Sequence, residues 1–299
     1  MADIKLFNIN GKVQEYQAGT VTLEKELQTI IESNMETFFG VTFLASEYST
    51  TDGGRMDSIG IDENHCPVIF EYKRSVKDNV INQGLFYLNW LLDHKDSFKV
   101  LVIQKLGMEA AEEIEWSMPR VVCVAGDFTK YDSSAIKLIN RNISLIRYKK
   151  FGKDLLMFEQ INENIVAATT DDNTLSGTKA KSISKTFAEH KEDAPPEILE
   201  LYEDMRDYIL SLGDDVTENQ LKLYVAFKKI KNIICAEIFN NRLLLHLKLD
   251  VSTVDYEDGF TRDTSKIGHY ATGDVEVVIK NRDDYEKAKP LLERAYNDN

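Results

Sequence analysis

Among the ionisable side chains of two short, mainly apolar segments, "GRMDSIGID" and "PVIFEYK", three could act together in a reaction. Asp57 lies in the first segment, and Glu71 and Lys73 lie in the second. Side chains on a strand alternate between faces, so Glu71 and Lys73 point the same way, and Asp57 shares a face with Ile59. The short connection "DENHCP" predicts an antiparallel return, which brings Asp57 beside Glu71.

A positive charge would stabilise this pair of acids. Two carboxylates that meet in a partly apolar cleft repel each other, and the pKa of one of them rises. Mg²⁺ suits such a pair because it prefers oxygen ligands and keeps several waters. Lys73 can then position or deprotonate an attacking water, or neutralise charge that builds up on a phosphate. The pattern predicts phosphodiester hydrolysis with Mg²⁺ or Mn²⁺; a salt-bridged edge strand or a solvated sheet face is the alternative that the spacing leaves open.

Asp57 followed by "EYK" on the next strand resembles the PD-(D/E)xK nuclease superfamily. The segment "QGLFY" places Gln83 and Tyr87 one helical turn apart, which is similar to the QxxxY signature of the RecB-like branch. Arg55, two residues before Asp57, resembles the RxD pattern of NucS-like endonucleases. The resemblance covers about residues 20 to 150, and it departs from the family pattern in having no proline before Asp57.

The resemblance implies a restriction-endonuclease-like fold and a role for each matching residue. Asp57 and Glu71 would hold the metal ion, with the backbone carbonyl of Tyr72 as a third ligand. Lys73 would act on the water or on the transition-state charge. In the family, the residues that match Gln83 and Tyr87 help to position the metal and the DNA.

The family also often adds a glutamate from the first helix, where Glu24 and Glu26 are the candidates. At ~100° per residue, Glu24 falls nearer the apolar stripe of Leu27 and Ile31, and Glu26 points away from it. We therefore expect Glu24 to join the catalytic set. Acidic residues in a first helical turn are also favoured by the helix dipole, so a purely structural role stays open.

The net charge of −14 argues against a protein that coats nucleic acid by overall electrostatics. Contacts with DNA must then come from local basic segments such as "KRSVK" and "RYKKFGK". The candidate phosphate contacts are Arg55, Lys73, Arg74, Lys77, Lys149 and Lys150. The sequence leaves open RNA as the substrate and the pairing of two chains into a homodimer that cuts both strands.

The elements that position these residues predict an α/β fold with a mixed central sheet flanked by helices. A hairpin with Asn10-Gly11 in its turn comes first. A helix that ends at Gly40 follows, then three strands and a further helix capped by Asp78. The expected bounds are Thr42 to Ser49, Arg55 to Asp62 and Pro67 to Lys73 for the strands, and Asp78 to His94 for the helix. A helix around Gly107 to Trp116, the strand "RVVCVAGDF", the helix "SSAIKLINRN" and a hairpin with Gly152 in its turn complete the domain.

Two domains are expected, a nuclease domain at 1–163 and a smaller α+β domain at 197–299, joined by a linker at 164–196 that is rich in Ser, Thr and charge. Pro290 should interrupt or restart the closing helix. A polar cluster in the second domain is a candidate recognition surface, formed by Arg262, Asp263, His269 and Asp274. The whole chain resembles a prokaryotic family that pairs this nuclease domain with a carboxy-terminal domain of unknown function. Members of that family are sometimes labelled predicted transport proteins.

Composition bounds these interpretations. The 299 residues are 43% hydrophobic and 29% charged, which is typical of a globular protein. No apolar run reaches the roughly 18 residues of a membrane span, so a transport role has no physical support. The amino terminus lacks the features of a secretory signal, which predicts a cytoplasmic location. A non-catalytic regulatory protein that binds nucleic acid or another partner on a nuclease fold is the competing functional class.

Overall fold

The computed structural model describes residues 4–21, 24–73, 80–164, 185–267 and 271–299. The chain divides into two compact units, Met1–Val166 and Ala167–Asn299. Most of the predicted linker, residues 165–184, lies outside the described residues. Across the described residues, no helix combines the length and the apolar character that a membrane crossing requires.

The amino-terminal unit is built on a mixed sheet, as predicted. A small hairpin of β1 (Leu6–Asn8) and β2 (Gln14–Tyr16) precedes it. The sheet strands are β3 (Ala18–Gly19), β4 (Val41–Ser49), β5 (Arg55–Asp62), β6 (Pro67–Lys73), β7 (Arg120–Ala125), β8 (Asn142–Phe151) and β9 (Leu155–Asn164). Their order is β3-β8-β7-β6-β5-β4, with β9 also pairing with β8. The pairs β6–β7 and β7–β8 are parallel and the others antiparallel.

Helices cover both faces of this sheet. They are α1 (Glu24–Glu32), α2 (Met35–Phe39), α3 (Val80–Asp93), α4 (Lys95–Leu106), α5 (Met108–Glu112) and α6 (Lys130–Ile136). On one face Ile69 of β6 and Val121 of β7 share a buried core with Leu88 of α3. On the other face Phe70 packs against Phe39 of α2, with ring centroids 5.2 Å apart. The alternation along β6 therefore separates Glu71 and Lys73, which share a face with Ile69, from Phe70.

Three helical predictions for this unit need correction. The helix predicted over "SSAIKLINRN" instead begins at Lys130 and ends at Ile136, as α6, and Asn142 already belongs to β8. The first predicted helix is divided into α1 and α2, because Ser33 and Asn34 turn their side chains back onto the carbonyls of Thr29 and Ile30 and so compete with the helical hydrogen bonds. Gly40 does end the pair, with φ +62°. Helix α4 was not predicted at all, because its segment "FKVLVI" is apolar except for Lys99 and so hides the helical spacing of its buried residues. Asp78, the expected cap of α3, lies outside the described residues.

The carboxy-terminal unit is an antiparallel sheet with helices on one face. It contains α7 (Phe187–Asp193), α8 (Pro196–Ser211), β10 (Thr217–Gln220), β11 (Val225–Lys228), β12 (Asn232–Phe239), β13 (Arg242–Leu247), β14 (Thr261–Asp263), β15 (Val275–Ile279) and α9 (Arg282–Asn297). The strand order is β10-β11-β12-β13-β15-β14. Contrary to prediction, α9 runs through Pro290 without a break; Ala288 and Leu292 are fully buried on either side of the proline, so packing holds the helix together.

The opposite face of the second sheet carries a row of polar residues. His246, Glu276 and Arg262 are direct neighbours on β13, β15 and β14. Glu276 is 9% exposed, and its Oε2 accepts a hydrogen bond of 2.6 Å from Arg262 Nη2. In the rest of the predicted recognition surface, the Asp263 side chain accepts a hydrogen bond from the backbone N–H of Ser265. The Asp274 carbonyl accepts one from the backbone N–H of Thr264. His269 lies outside the described residues.

Candidate active site

The paired strands β5 and β6 separate where their acidic residues lie. Their register joins Ser58–Ile61 to Pro67–Phe70 and stops there. One residue further, the backbone N–H of Asp57 donates to Glu71 Oε1 at 3.3 Å. The backbone N–H of Tyr72 donates to Asp57 Oδ2 at 2.9 Å. Side-chain oxygens thus replace backbone partners, and the two carboxylates enter the gap between the strands.

Burial and mutual repulsion act on both acids. Glu71 is fully buried, and its Oε2 has no hydrogen-bond partner among the described residues. Burial, followed by the charge of Asp57, raises the pKa of Glu71 to about 8. Burial also raises the pKa of Asp57, although the Tyr72 N–H and the charge of Lys73 act in the opposite direction. The site holds two acids in a place where a pair of negative charges is unfavourable.

Lys73 and Glu24 add their charges to this pair. The positive charge of Lys73, which is half-buried at the end of β6, favours the ionised forms of both Asp57 and Glu71. Glu24, exposed at the start of α1, raises the pKa of Asp57 by its negative charge. Glu26 instead forms an ion pair of 2.7 Å with Lys150. Of the two glutamates considered for the site, Glu24 is the one whose charge acts on Asp57.

Tyr72 supports the site from the other face of the sheet. Its side chain is 1% exposed, and its hydroxyl donates to Ser58 Oγ at 3.1 Å. Ser58 Oγ in turn donates to Glu32 Oε1 of α1 at 2.6 Å. Because the ring is fixed in this way, the backbone of Tyr72 is held beside Asp57. A metal-binding role for the Tyr72 carbonyl stays a prediction.

The helix that follows β6 contacts the start of β5. Tyr87 of α3 is buried, and its hydroxyl accepts a hydrogen bond of 3.1 Å from the backbone N–H of Arg55. Gln83 Nε2 donates to the same hydroxyl at 3.4 Å. A methyl group on Gly54 would lie 2.6 Å from the Tyr87 ring, so glycine permits this close approach. In this structure Gln83 and Tyr87 contact the strand that carries Asp57.

The predicted DNA contacts differ in their surroundings. Arg55 is exposed and forms an ion pair of 3.1 Å with Glu47, rather than with Asp57. Lys150 is paired with Glu26, and Lys149 is half-buried on β8. Arg74 and Lys77 lie outside the described residues.

The sequence did not identify Gln28 of α1 as part of the site. Gln28 is 6% exposed, and its Nε2 donates to the backbone carbonyl of Asp57 at 2.8 Å. The available signal was a polar residue inside the apolar stripe of Leu27 and Ile31, one turn after Glu24.

The donor set suits a small, hard cation. Glu71 offers a buried carboxylate oxygen that lacks a hydrogen bond within the described chain, and Asp57 lies beside it. Oxygen ligands of this kind, one or two carboxylates completed by water and phosphate, are those that Mg²⁺ takes. Larger protein cages are not present: within the described ranges, no group of three or more His, Cys, Asp or Glu side chains is arranged to hold a metal ion.

Comparisons with known proteins divide along the two units. Residues 185–299 match the family described as a domain of unknown function, DUF5655, which confirms the expected carboxy-terminal domain. A repair endonuclease from Pyrococcus abyssi, solved by crystallography, is 15% identical over 43% of this chain and 49% of that chain, with a TM-score of 0.28. The chain thus spans about half the length of that enzyme, and a likeness this weak supports no conclusion about fold or function.

One relative matches the chain from end to end. An uncharacterized protein of Haemophilus influenzae is 30% identical over 297 residues, which are 96% of this chain and 97% of the relative. On that identity over nearly the whole of both sequences, the protein belongs to the family of this Haemophilus influenzae protein.

Proposed function

We propose that the protein is a divalent-metal-dependent nuclease that hydrolyses phosphodiester bonds in DNA, as an endonuclease of restriction, repair or defence type. The observation that carries the proposal is the pair of raised-pKa acids, Asp57 and Glu71, with Lys73 at the separated ends of β5 and β6. The order of these residues and the contact of Tyr87 with β5 agree with the resemblance to PD-(D/E)xK nucleases of the QxxxY type.

Asp57, Glu71 and the Tyr72 carbonyl would hold Mg²⁺ or Mn²⁺. When bound, such an ion supplies a Lewis acid for a phosphate oxygen. The charge of the ion would offset the repulsion between the two acids and favour their ionised forms. Lys73 lies on the same face as Glu71, so its ammonium group can hold the attacking water or neutralise charge on the phosphate as the ester bond breaks.

The test uses the full chain with plasmid, linear duplex and single-stranded DNA, and with RNA, in the presence of Mg²⁺ or Mn²⁺. We expect cleavage that chelation abolishes and that Asp57→Ala and Lys73→Ala each remove. Glu276→Gln, which alters a buried glutamate of the other unit, is the matched control and should cleave like the wild type. Cleavage that persists unchanged in both site variants would come from a contaminant or another site and would refute the assignment.

A second candidate function is binding without turnover, on the same fold. The net charge of −14 and the ion pairs that occupy Arg55 and Lys150 favour it, because they leave less positive charge for phosphates. Calorimetry with Mn²⁺ separates the two candidates. Heat of binding and a metal-linked rise in melting temperature support the nuclease, and the lack of both supports a binding protein.

A further inference from the structure

Asp57 occupies a position where the regular ladder of β5 is lost. Pairing with β6 ends at Ser58, so the backbone of Asp57 depends on side chains for its hydrogen bonds. Its N–H donates to Glu71 Oε1 at 3.3 Å, and its carbonyl accepts from Gln28 Nε2 at 2.8 Å. The strand on the other side is irregular at the same level, since Glu47, opposite Asp57 in the register between Ser46 and Tyr48, has φ +50°.

Gln28 is well placed to hold this residue. Besides the Asp57 carbonyl, its amide nitrogen contacts Ser46 Oγ at 3.0 Å and Glu32 Oε1 at 2.8 Å. One carboxamide therefore joins α1 to both β4 and β5. A buried amide with several hydrogen-bond acceptors around it keeps one orientation. Turning away would leave its polar atoms without partners in the core, which costs free energy.

The same helix carries a charge that acts on Asp57. Glu24 lies one turn before Gln28. The hydrogen bond from Gln28 to the Asp57 carbonyl joins α1 to β5 at this level, and it therefore also limits where Glu24 can lie.

We infer that Gln28 is a positioning residue, which holds the Asp57 backbone so that its carboxylate stays beside Glu71. Gln28 does not contact reacting atoms in this arrangement; it acts through Asp57. The inference rests on the proposed function for its kinetic consequence, but its effect on metal binding can be measured without turnover.

The experiment compares Gln28→Leu with Ser46→Ala in the full chain. Ser46→Ala removes one partner of Gln28 and leaves the Asp57 contact in place, so it is the matched control. For Gln28→Leu we expect kcat to fall by about 10- to 100-fold, with KM within a factor of about two, because a small displacement of a catalytic group is costly. Mn²⁺ affinity in calorimetry should fall by about 10-fold, while Ser46→Ala should leave kcat and affinity within a factor of about two of the wild type.

A second variant of similar size, Gln28→Met, provides the same test if Gln28→Leu does not fold. A folded Gln28→Leu or Gln28→Met protein with wild-type kcat and Mn²⁺ affinity would overturn the inference, as would an equal loss in Ser46→Ala. If the wild type binds Mn²⁺ but cleaves no substrate, the nuclease proposal fails, and weaker Mn²⁺ binding by Gln28→Leu still supports positioning. A wild type that neither cleaves nor binds Mn²⁺ overturns both.

Discussion

Each of the two units buries a glutamate on a sheet strand, and the two glutamates differ in the charge of the residue beside them. Glu276 of β15 is 9% exposed and accepts a hydrogen bond from its cross-strand neighbour Arg262 at 2.6 Å. Glu71 of β6 is fully buried, faces Asp57 and leaves its Oε2 without a hydrogen bond among the described residues. Both lie inside a sheet, but only Glu276 has a cation as its direct cross-strand neighbour.

This difference separates a structural acid from a functional one. A buried charge is tolerated when it is paired and hydrogen-bonded, so Glu276 needs no further ligand. Glu71 beside another acid costs stability unless it is protonated or neutralised by a cation. Such a cost in stability persists in a folded protein where function requires the arrangement.

The largest effect should be on catalysis. Glu71→Gln removes one of the two charges of the proposed site, and we expect cleavage to fall by about 10²- to 10³-fold. Glu276→Gln makes the same chemical change in the other unit, and its cleavage rate should stay within a factor of about two of the wild type. Steady-state cleavage of a fluorescent DNA substrate measures both rates, and similar losses in the two variants would contradict a special role for Glu71.

The next effect is the dependence of stability on pH. Folded Glu71 holds its proton up to a pKa of about 8, against 4.5 in the unfolded chain, so its stabilising contribution is complete below pH 4.5 and is lost as the pH rises through about 8. The full pKa difference corresponds to a loss on the order of 5 kcal/mol. Urea unfolding with a chelator present measures it by tryptophan fluorescence, since Trp90 and Trp116 both lie in the amino-terminal unit.

Glu71→Gln serves as the test variant in that experiment. It should flatten the fall in stability between these pH values, whereas Glu276→Gln should keep the wild-type slope. If the free energy of unfolding depended on pH in the same way for the wild type and Glu71→Gln, the surroundings of Glu71 would not raise its pKa.

A smaller effect should follow from breaking the paired acid. Glu276→Gln at pH 7 leaves Arg262 without its charged partner, and we expect the second unit to lose about 1 to 2 kcal/mol, because the Arg262 side chain is 58% exposed and water screens the pair. Hydrogen exchange of the β13 and β15 amides measures this loss. Tryptophan fluorescence of the amino-terminal unit should be unchanged, and unaltered exchange in β15 would contradict the role given to the pair.

The smallest effect concerns the support that α3 gives to β5. Tyr87→Phe removes the acceptor of the Arg55 N–H but keeps the ring against Gly54, so stability should fall by about 1 kcal/mol. Cleavage should fall a few-fold, because the start of β5 loses its anchor. Tyr285→Phe, which removes a hydroxyl bonded to the Asp204 carbonyl in the other unit, should cost similar stability and no activity. Equal activity in both variants would argue that Tyr87 has only a structural role.

Local periodicity was enough to predict the strands that carry the acids. The predicted bounds of β5 and β6, Arg55 to Asp62 and Pro67 to Lys73, agree with the structure because each is a short, mainly apolar segment between clear turn signals. The shared face of Glu71 and Lys73 follows from the alternation of side chains along a strand. Helix α4 escaped prediction since its apolar run fits a strand equally well.

The side chains that contact the site from distant parts of the sequence could not be predicted, because local patterns do not show how helices pack on the sheet. Gln28 reaches the Asp57 carbonyl across 29 residues, and Lys150 reaches Glu26 across 124. The sequence pattern places the polar residue Gln28 in the apolar stripe of α1. Its contact with β5 depends on how α1 packs on the sheet. Likewise, the pairing of Arg55 with Glu47 depends on the irregular backbone of β4 at Glu47.

The glycine between β4 and β5 has a mechanical consequence. A Cβ atom at Gly54 would lie 2.6 Å from the Tyr87 ring, so the turn between β4 and β5 approaches α3 closely here, three residues before Asp57. We expect a bulkier residue at position 54 to push the hairpin away from α3 and to move Asp57 relative to Glu71 without altering any charge. The spacing of two carboxylates inside the sheet is thus governed, in part, by a residue that has no side chain.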